Sequence, residues 1–310
     1  MFRRLLDAPY VLLSLVSLFW AGNIVFGRHV AGHFPPVSLA WMRWVIAFML
    51  LLPFAWRAMK ADWPIALRHL PILLVLSLTG ITLFNTMAYH ALETTSALNA
   101  LLIQSMGPLM IAFWSLVLNG DRLSLGQAGG IALSLLGVLT IICRGDPAVL
   151  FRIEFAEGDL WMVAAMVIYG IYSSLLARRP AMSQLGFLGF TLGFGAIMLT
   201  PIFAAERTLG APLTFDTVAL AAIAYVAIFP SVLAYLFFNR GVQLVGPNRA
   251  APFFHLMPVF GSGLAILFLG EQPHLYHAAG YGLVLAGIAI ATIWAPGKAS
   301  PAEITPTQGS

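Results

Sequence analysis

Long runs of apolar residues, separated by short polar segments, set the pattern of the whole chain. About 20 residues at the helical rise cross the hydrocarbon core of a bilayer, so an apolar run of about 18 residues or more predicts a membrane-spanning helix. Helices are expected because lipid offers no hydrogen-bond partner to a strand edge. Ten runs meet this criterion, at residues 9–28, 37–56, 70–91, 96–118, 125–143, 158–177, 184–204, 217–239, 248–269 and 275–295.

Composition strengthens the prediction of an all-α integral membrane protein. Of the 310 residues, 60% are hydrophobic and only 9% are charged, whereas a soluble domain carries about 25% charged residues. The net charge of +4 does not predict nucleic-acid binding, because the excess cations lie in the loops between the apolar runs. The expected partners are the lipid bilayer and a small-molecule substrate, and a monomer is favoured.

The distribution of Lys and Arg predicts the orientation, because cytoplasmic loops carry an excess of these residues. With a cytoplasmic N-terminus and alternating helices, eleven of the 16 Lys and Arg residues lie on the cytoplasmic side and four on the other, with Arg43 inside the second run. We therefore expect a multi-pass protein of the inner (plasma) membrane with both termini in the cytoplasm. The eleven are Arg3, Arg4, Arg57, Lys60, Arg68, Arg122, Arg178, Arg179, Arg240, Arg249 and Lys298.

The second half of the chain repeats the first. A shift of 150 residues aligns residues 100–137 with 250–287 without a gap, and it pairs Pro108 with Pro258. Each half holds five helices, an odd number, so the second half enters the membrane upside down; such inverted repeats are typical of transporters with a binding site between the repeats. The predicted division is a cytoplasmic N-terminus at 1–8, five-helix repeats at 9–145 and 157–296, and a disordered cytoplasmic tail at 297–310.

Both halves contain a Gly–acid pair followed by two glycines seven residues apart, and the first half adds a Trp-Ala-Gly-Asn segment and a membrane-depth arginine. This pattern resembles the drug/metabolite transporter superfamily, and more narrowly its EamA-like family; within it the likeness is greatest to the bacterial aromatic amino acid exporter. The resemblance implies ten helices, both ends inside, and export of amino acids, related metabolites or cations such as paraquat. The residues are Gly120, Asp121, Gly130, Gly137, Gly270, Glu271, Gly280, Gly287, Trp20 to Asn23 and Arg43.

The two acids of this pattern have a structural interpretation. Asp121 and Glu271 each follow a glycine and open the next helix. A carboxylate at that position caps free N–H groups and meets the positive end of the helix dipole. Capping is therefore expected of both, rather than transport chemistry.

Polar residues at membrane depth are costly and tend to face an interior cavity. Asn85 and Tyr89 are four residues apart and so share one helix face, and the 150-residue shift places them on Tyr235 and Asn239. These residues either form two walls of a central substrate cavity or join helices by hydrogen bonds. We expect that Tyr89→Ala or Tyr235→Ala lowers transport without loss of expression.

Two prolines and their neighbours form a second group of candidates. Pro108 and Pro258 inside helices predict bends, which serve either as hinges beside the cavity or as fixed kinks. Asn99, Gln104 and His255 lie on the same helices and are candidate substrate-binding residues. A histidine here either carries protons or fills a structural role, of which the structural role is favoured.

Aromatic residues complete the candidate site. Trp20 lies three residues before Asn23, and Tyr169 lies in the sixth run. Aromatic walls favour apolar side chains or a flat cation. Arg43 either snorkels outward, which fits a structural role, or neutralises a substrate carboxylate.

The sequence lacks the features of an enzyme or an ATP-driven pump. It has no phosphate-binding loop and no nucleophile, metal cluster or acid pair at membrane depth. No cofactor, metal or enzyme activity is predicted, which leaves alternating-access transport as a facilitator or a His-assisted exchanger. The predicted substrate-binding residues are Trp20, Asn23, Asn85, Tyr89, Asn99, Gln104, Tyr169, Tyr235, Asn239 and His255, and the predicted hinges are Pro108 and Pro258.

Overall fold

The computed structural model describes residues 6–30, 34–95, 97–210, 213, 217–269 and 272–294. The first five residues of the predicted cytoplasmic N-terminus, the predicted tail at 297–310 and the Gly270–Glu271 pair therefore lie outside the described residues.

Helices make up nearly all of the described chain, and we label them α1 to α10 in chain order. Several are composite, joined from α-helical, 3-10 or π-helical parts. The bounds are α1 Pro9–Val30; α2 Pro36–Arg68; α3 Leu70–Ser77, Leu78–Leu83 (π) and Phe84–Thr94; α4 Ala97–Gln104 and Gly107–Asn119; α5 Leu125–Ile142; α6 Glu157–Leu175 and Leu176–Arg178 (3-10); α7 Gln184–Thr208; α8 Thr217–Ala227, Ile228–Leu233 (π) and Ala234–Val245; α9 Pro247–Ala250, Ala251–His255 (3-10) and Leu256–Leu269; and α10 Leu275–Ile293, with a 3-10 turn Pro147–Arg152 before α6.

Among the described residues, eight helices are long and apolar enough to cross a membrane, and the stretch Pro9–Asn23 of α1 is a shorter apolar helix. The all-helical membrane architecture expected from the apolar runs is therefore confirmed. The helix α9 differs from the expectation of one run at 248–269, because its first nine residues are divided between a short α-helix and a 3-10 turn containing Pro252.

The helix α2 is longer than its apolar run predicts. It has 33 residues and continues past the predicted end at residue 56 to Arg68. The added turns include Arg57, Lys60 and Asp62, so the helical backbone continues beyond the end of the apolar run.

The helices α2 and α7 lie antiparallel and cap each other. Asp62, near the end of α2, accepts hydrogen bonds from the Ser183 backbone N–H at 3.0 Å and hydroxyl at 2.6 Å, at the start of α7. Glu206, near the end of α7, accepts from the backbone N–H of Val37 at 3.0 Å and of Ser38 at 2.7 Å, at the start of α2. Each carboxylate therefore satisfies free donors at the positive end of the partner helix.

The helices α5 and α10 pack glycine against glycine. A Cβ on Gly130 would lie 2.6 Å from the Gly287 carbonyl oxygen, and a Cβ on Gly137 would lie 2.7 Å from that of Gly280. The 150-residue shift converts each of these contacts into the other, so this crossing obeys the symmetry that the sequence repeat predicts. Small residues allow the two backbones to approach this closely.

The predicted capping role of Asp121 is wrong. Ser124 is the N-cap of α5 and forms a capping box with Gln127. Gly120 instead ends α4 with a φ of 73°, and the Asp121 backbone N–H donates to the Ser115 carbonyl at 3.2 Å. The Gly–acid pair is thus a left-handed helix end, where glycine is favoured because it lacks a Cβ.

Candidate functional site

Arg43 of α2 lies buried among neutral groups, with 1% of its surface exposed. Its NH1 donates to Asn85 Oδ1 at 2.9 Å and to the Tyr89 hydroxyl at 2.7 Å. Its NH2 donates to the Pro230 carbonyl at 3.0 Å, and its Nε to the Ser231 hydroxyl. The interpretation in which Arg43 snorkels outward is wrong, because neighbouring helices hold the guanidinium inside the protein.

The charge of Arg43 has no carboxylate partner among the described residues; its contacts are hydrogen bonds to neutral oxygens and the faces of Trp44 at 4.6 Å and Tyr89 at 5.9 Å. Removing an ion from water costs several kcal/mol even after the protein relaxes. Four of the five guanidinium N–H groups are used by these bonds, so one donor is left for a further acceptor. A carboxylate is the group that best matches such a site.

The helices α3 and α8 meet beside this arginine in a bond between symmetry-related residues. Asn85 Nδ2 donates to the Tyr235 hydroxyl at 3.1 Å, and these residues are 150 positions apart. In the predicted two-fold arrangement these residues exchange places, and such residues can touch only near the axis, so the bond would lie at the junction of the two halves. The hydrogen bonds between helices that the sequence left as an alternative are therefore present in this conformation.

Both α3 and α8 contain a π-helical segment at the same place in the repeat. Leu78–Leu83 and Ile228–Leu233 are 150 residues apart. A π turn interrupts the regular hydrogen-bond ladder and is frequent at functional sites. The Gly80 carbonyl accepts from the Tyr235 hydroxyl at 2.6 Å, and the Pro230 carbonyl accepts from Arg43 at 3.0 Å and from Trp20 Nε1 at 3.2 Å.

One Tyr–Asn hydrogen bond joins the first and third helices of each half. In the first half the Tyr89 hydroxyl lies 3.3 Å from Asn23 Oδ1, between α3 and α1. In the second half the Tyr172 hydroxyl donates to Asn239 Oδ1 at 2.7 Å, between α6 and α8. Asn23 and Tyr89 lie toward the C-terminal ends of their helices, as do Tyr172 and Asn239. We call these the first-half and second-half Tyr–Asn pairs.

Tyr169 of α6 is the centre of an aromatic cluster next to the polar network. Its ring lies 4.5 to 5.8 Å from five other aromatic rings, and its buried hydroxyl has no hydrogen-bond partner among the described residues. Trp20 belongs to both groups, because its Nε1 donates to Pro230. The five rings are those of Trp20, Phe84, Tyr172, Phe238 and Phe254.

Three predicted site residues make their hydrogen bonds elsewhere. Asn99 donates to Asp159 Oδ2 at 2.9 Å and to the Glu154 carbonyl at 2.8 Å, where α4 begins beside the start of α6. Gln104 contacts the Met162 sulfur at 3.9 Å. His255 is held by the Ser134 hydroxyl at 2.6 Å and the Ser105 carbonyl at 2.9 Å.

The two predicted hinge prolines lie just after breaks in their helices. The helix α4 is interrupted at Ser105 and Met106, and Pro108 opens its second part. Pro258 is the third residue of Leu256–Leu269, after the 3-10 turn of α9. At the α4 break the Leu109 N–H bonds to Met106 at 3.0 Å instead of to Ser105, which leaves the Ser105 carbonyl for His255. Hinge motion at these breaks stays a prediction.

The predicted set omitted Arg43, Tyr172, Ser231 and the carbonyls of Gly80 and Pro230. The sequence did carry a signal for the carbonyls: a proline and a glycine 150 residues apart inside long apolar runs. Either residue weakens a regular helix. The burial of Arg43 depends on four neighbouring groups from two other helices, which hydropathy does not reveal.

Comparison with known proteins gives the family. A transporter of Archaeoglobus fulgidus is 28% identical over 91% of this chain and 96% of its own length, and a probable amino-acid metabolite efflux pump of Salmonella typhimurium is 25% identical over 90% and 93%. A crystal structure with 20% identity, covering 93% of this chain and 98% of that chain, superposes with a TM-score of 0.71 and so shares the fold. The EamA-like transporter family matches residues 8–143 and again 156–293. This chain therefore belongs to the EamA-like transporter family.

Proposed function

We propose that this chain exports amino acids with aromatic or other apolar side chains, and related carboxylates, by alternating access. The chain is a multi-pass protein of the inner (plasma) membrane; in the proposed arrangement ten helices form two inverted repeats at 9–145 and 157–296, with both termini cytoplasmic. The two separate family matches, at 8–143 and 156–293, support this division. The amino-acid efflux pump among its relatives supports the substrate class.

The observation that carries the proposal is the buried Arg43 beside the aromatic cluster around Tyr169. A guanidinium in neutral surroundings gains most from a carboxylate, because the pair replaces an uncompensated buried charge. Trp20 joins the two regions through the Pro230 carbonyl and a ring contact of 5.8 Å with Tyr169. An amino acid that binds Arg43 by its carboxylate can thus place an apolar side chain among the rings.

The substrate-binding residues in this proposal are those joined to Arg43 or to the aromatic cluster. Asn99, Gln104 and His255 bond elsewhere and so support the helix ends and breaks, not the substrate. The proposed set is Arg43, Trp20, Asn23, Asn85, Tyr89, Tyr169, Tyr172, Tyr235 and Asn239.

The second candidate is export of flat cations such as paraquat. Aromatic rings bind such cations through their negative faces, and the rings around Tyr169 favour this substrate. The nearby guanidinium repels a cation, so we rank this candidate below the amino acids.

The two Tyr–Asn pairs support an alternating-access mechanism. Because the halves are inverted, the first-half pair closes the side toward which α1 and α3 run, and the second-half pair closes the opposite side. The Asn85–Tyr235 bond is one helical turn away from each pair, because Asn85 precedes Tyr89 by four residues and Tyr235 precedes Asn239 by four. Opening one pair while the other stays closed would expose Arg43 to one side of the membrane at a time.

Purified protein in liposomes tests the proposal. Preloaded phenylalanine should exchange with labelled external phenylalanine faster than in empty liposomes, and unlabelled leucine and tryptophan should compete. Paraquat should compete weakly. Flux equal to that of empty liposomes across a broad amino-acid panel would reject amino-acid export, and strong transport of paraquat alone would select the second candidate.

A further inference from the structure

A large basic cavity lies at one end of the molecule, separate from the Arg43 site. It has a volume of about 790 Å³ and lies between the α4–α5, α6–α7 and α8–α9 connections, which the charge distribution assigns to the cytoplasm. Four of its lining residues are arginines, and Asp121 is its one lining carboxylate among the described residues. We call this cavity the arginine vestibule; its arginines are Arg122, Arg178, Arg179 and Arg249.

Arg178 is held in the vestibule by neutral groups. Its Nε donates to Asn119 Oδ1 at 2.9 Å, and its NH2 donates to the Leu118 carbonyl. Asn119 is in turn fixed by a bond from its Nδ2 to the Ser174 carbonyl at 3.0 Å. This arrangement orients the guanidinium without neutralising its charge. Arg178 is exposed, so its side chain could instead extend into water.

Arg179 is also held without a carboxylate. Its NH1 donates to Gln184 Oε1 at 3.0 Å, and its guanidinium lies 5.1 Å from the centre of the Phe187 ring. Burial lowers the pKa of Arg179 to about 10, the Tyr172 hydroxyl opposes that change, and the positive charge of Arg240 adds to it. Arg240 has its own carboxylate, Asp7 at 2.7 Å, so the uncompensated charge is on Arg179.

The vestibule ends one helical turn from the second-half Tyr–Asn pair. Its lining includes the buried residues Leu176 and Val242, which follow Tyr172 by four residues and Asn239 by three. The buried Asn239 Nδ2 has no hydrogen-bond partner among the described residues. A carboxylate that leaves the vestibule therefore meets an unused amide donor before it reaches Arg43.

We propose that the arginine vestibule is a carboxylate-binding antechamber, in which Arg178 and Arg179 hold the substrate before it passes the Tyr172–Asn239 pair to Arg43. This inference rests on the proposed function. The fixed guanidinium groups can pair with the carboxylate of a zwitterion at close range, and salt weakens this attraction at an exposed site. The positive-inside bias explains arginines on this face, but it does not require them to line a cavity or to be fixed by neutral acceptors.

The test compares the Arg178→Gln/Arg179→Gln double variant with two controls. Arg57→Gln/Arg68→Gln removes two exposed charges from the same predicted side, outside the vestibule, and Arg178→Lys/Arg179→Lys keeps the charge. The Gln variant should raise the KM for phenylalanine by about tenfold, as expected for the loss of a charge-assisted hydrogen bond to the carboxylate, with kcat within about twofold. The Lys variant should have a KM close to that of wild type, and the Arg57→Gln/Arg68→Gln variant should leave KM unchanged.

Salt and an analogue without the carboxylate sharpen the result. Raising ionic strength should increase the KM of wild-type protein toward that of the Gln variant, whose own KM should change little. Phenylalaninamide lacks the carboxylate and keeps a positive amine, so its KM should not rise in the Gln variant. The proposal would be overturned if the Gln variant left the KM for phenylalanine unchanged, or if Arg57→Gln/Arg68→Gln raised that KM equally. It would also be overturned if the Gln variant raised the KM for phenylalaninamide as much as the KM for phenylalanine. Protease access to a C-terminal tag must show the same orientation in every variant.

Binding measurements separate this proposal from the proposed function. If wild-type protein shows no amino-acid flux, the proposed function fails and the vestibule proposal fails with it as stated. If flux is normal but phenylalanine stabilises the Gln variant in detergent as much as wild type, the vestibule proposal alone fails. Thermal stabilisation by phosphatidylglycerol that requires these arginines, without any such requirement for phenylalanine, would identify a lipid headgroup as the occupant and would also overturn it.

Discussion

At the scale of single residues, the candidate site surrounds one buried cation with partners that, among the described residues, are all neutral. Asn85, Tyr89 and Ser231 orient the Arg43 guanidinium, and the Pro230 carbonyl fixes its far side. Such a group is costly in the absence of a counter-charge. A substrate carboxylate would offset this cost by supplying the counter-charge. Binding is then strongest for molecules that carry a carboxylate.

Arg43→Gln should separate transport from folding. The variant removes the buried charge, so we expect unchanged or slightly higher thermal stability in detergent. Transport of phenylalanine should fall by about 30-fold or more in kcat/KM, since loss of one partner of a buried charge pair costs about 2–5 kcal/mol. Arg43→Lys should recover only part of the activity, because Lys lacks the planar fork of donors. Wild-type kinetics in Arg43→Gln would remove this residue from the site.

Tyr169→Phe and Tyr235→Phe form a matched pair. The Tyr169 hydroxyl is buried without a partner in the part of the chain that the structure describes, so its removal should leave the melting temperature unchanged or raise it. The Tyr235 hydroxyl joins Asn85 to the Gly80 carbonyl, so its removal should cost about 1–3 kcal/mol from unsatisfied buried groups. If Tyr169→Phe nevertheless raises the KM for amino acids several-fold, its hydroxyl contacts substrate; an unchanged KM would assign it to packing alone.

At the scale of helices, the contacts that repeat with the 150-residue shift carry the architecture. The helices α5 and α10 cross at four glycines, and α3 and α8 meet at Asn85 and Tyr235. The repeated Asn and Tyr positions predicted that α3 and α8 either face one cavity or bond to each other, whereas the pairing of α5 with α10 was not predicted. The π segments, the extension of α2 to Arg68 and the caps at Asp62 and Glu206 were not predictable, because they depend on which helices are neighbours and not on apolar length.

Gly130→Ala and Gly129→Ala test the α5–α10 crossing with adjacent residues. A Cβ on Gly130 would lie 2.4 Å from the Ala291 backbone nitrogen, whereas a Cβ on Gly129 would meet nothing within 4 Å. Gly130→Ala should therefore force the backbones apart and lower stability by about 1–3 kcal/mol, as for other overpacked sites. Gly129→Ala should be neutral or stabilising, because alanine favours helix. Equal melting temperatures for the two variants would contradict the close approach.

Glu206→Gln tests the reciprocal capping of α2 and α7. The glutamine keeps the size of the side chain but loses the charge that meets two backbone N–H groups of α2. We expect a loss of about 0.5–2 kcal/mol, the usual range for a helix cap. Glu157→Gln is a control with the same change of charge, since the one hydrogen bond of the Glu157 carboxylate among the described residues is a 3.4 Å contact with Trp161. A melting temperature that falls equally in the control would show a general charge effect.

At the scale of the whole molecule, three layers follow one another from one end to the other. The arginine vestibule opens at the end that holds the α4–α5, α6–α7 and α8–α9 connections, the second-half Tyr–Asn pair follows, and the Arg43 site and the first-half pair lie beyond. The sequence predicted Asn23, Tyr89 and Asn239 of the two pairs, but neither Tyr172 nor the closure of both pairs in one conformation. That depends on tertiary contacts of α1 and α6, for which the sequence repeat gave no pairing.

Locking each Tyr–Asn pair tests whether the two pairs act as opposite gates. Cys143, the single cysteine, is replaced by serine; burial raises the pKa of its thiol, and Asp146 adds to the effect, so background labelling is slow in any case. Cysteines then replace Asn23 and Tyr89 in one variant and Tyr172 and Asn239 in another. A short bifunctional thiol reagent is used, because a disulfide requires Cα atoms within about 7 Å.

Each cross-link should stop exchange, yet the two locked proteins should differ in binding. With the second-half pair locked, labelled phenylalanine should reach Arg43 only from the side opposite the vestibule; with the first-half pair locked, it should enter only through the vestibule. The difference follows from the proposed inversion of the repeats, in which equivalent pairs close opposite sides. Sidedness is measured by adding substrate to one face of oriented proteoliposomes. Identical sidedness in the two locked forms would contradict gating by these pairs, and full exchange in either would show that its pair does not need to open.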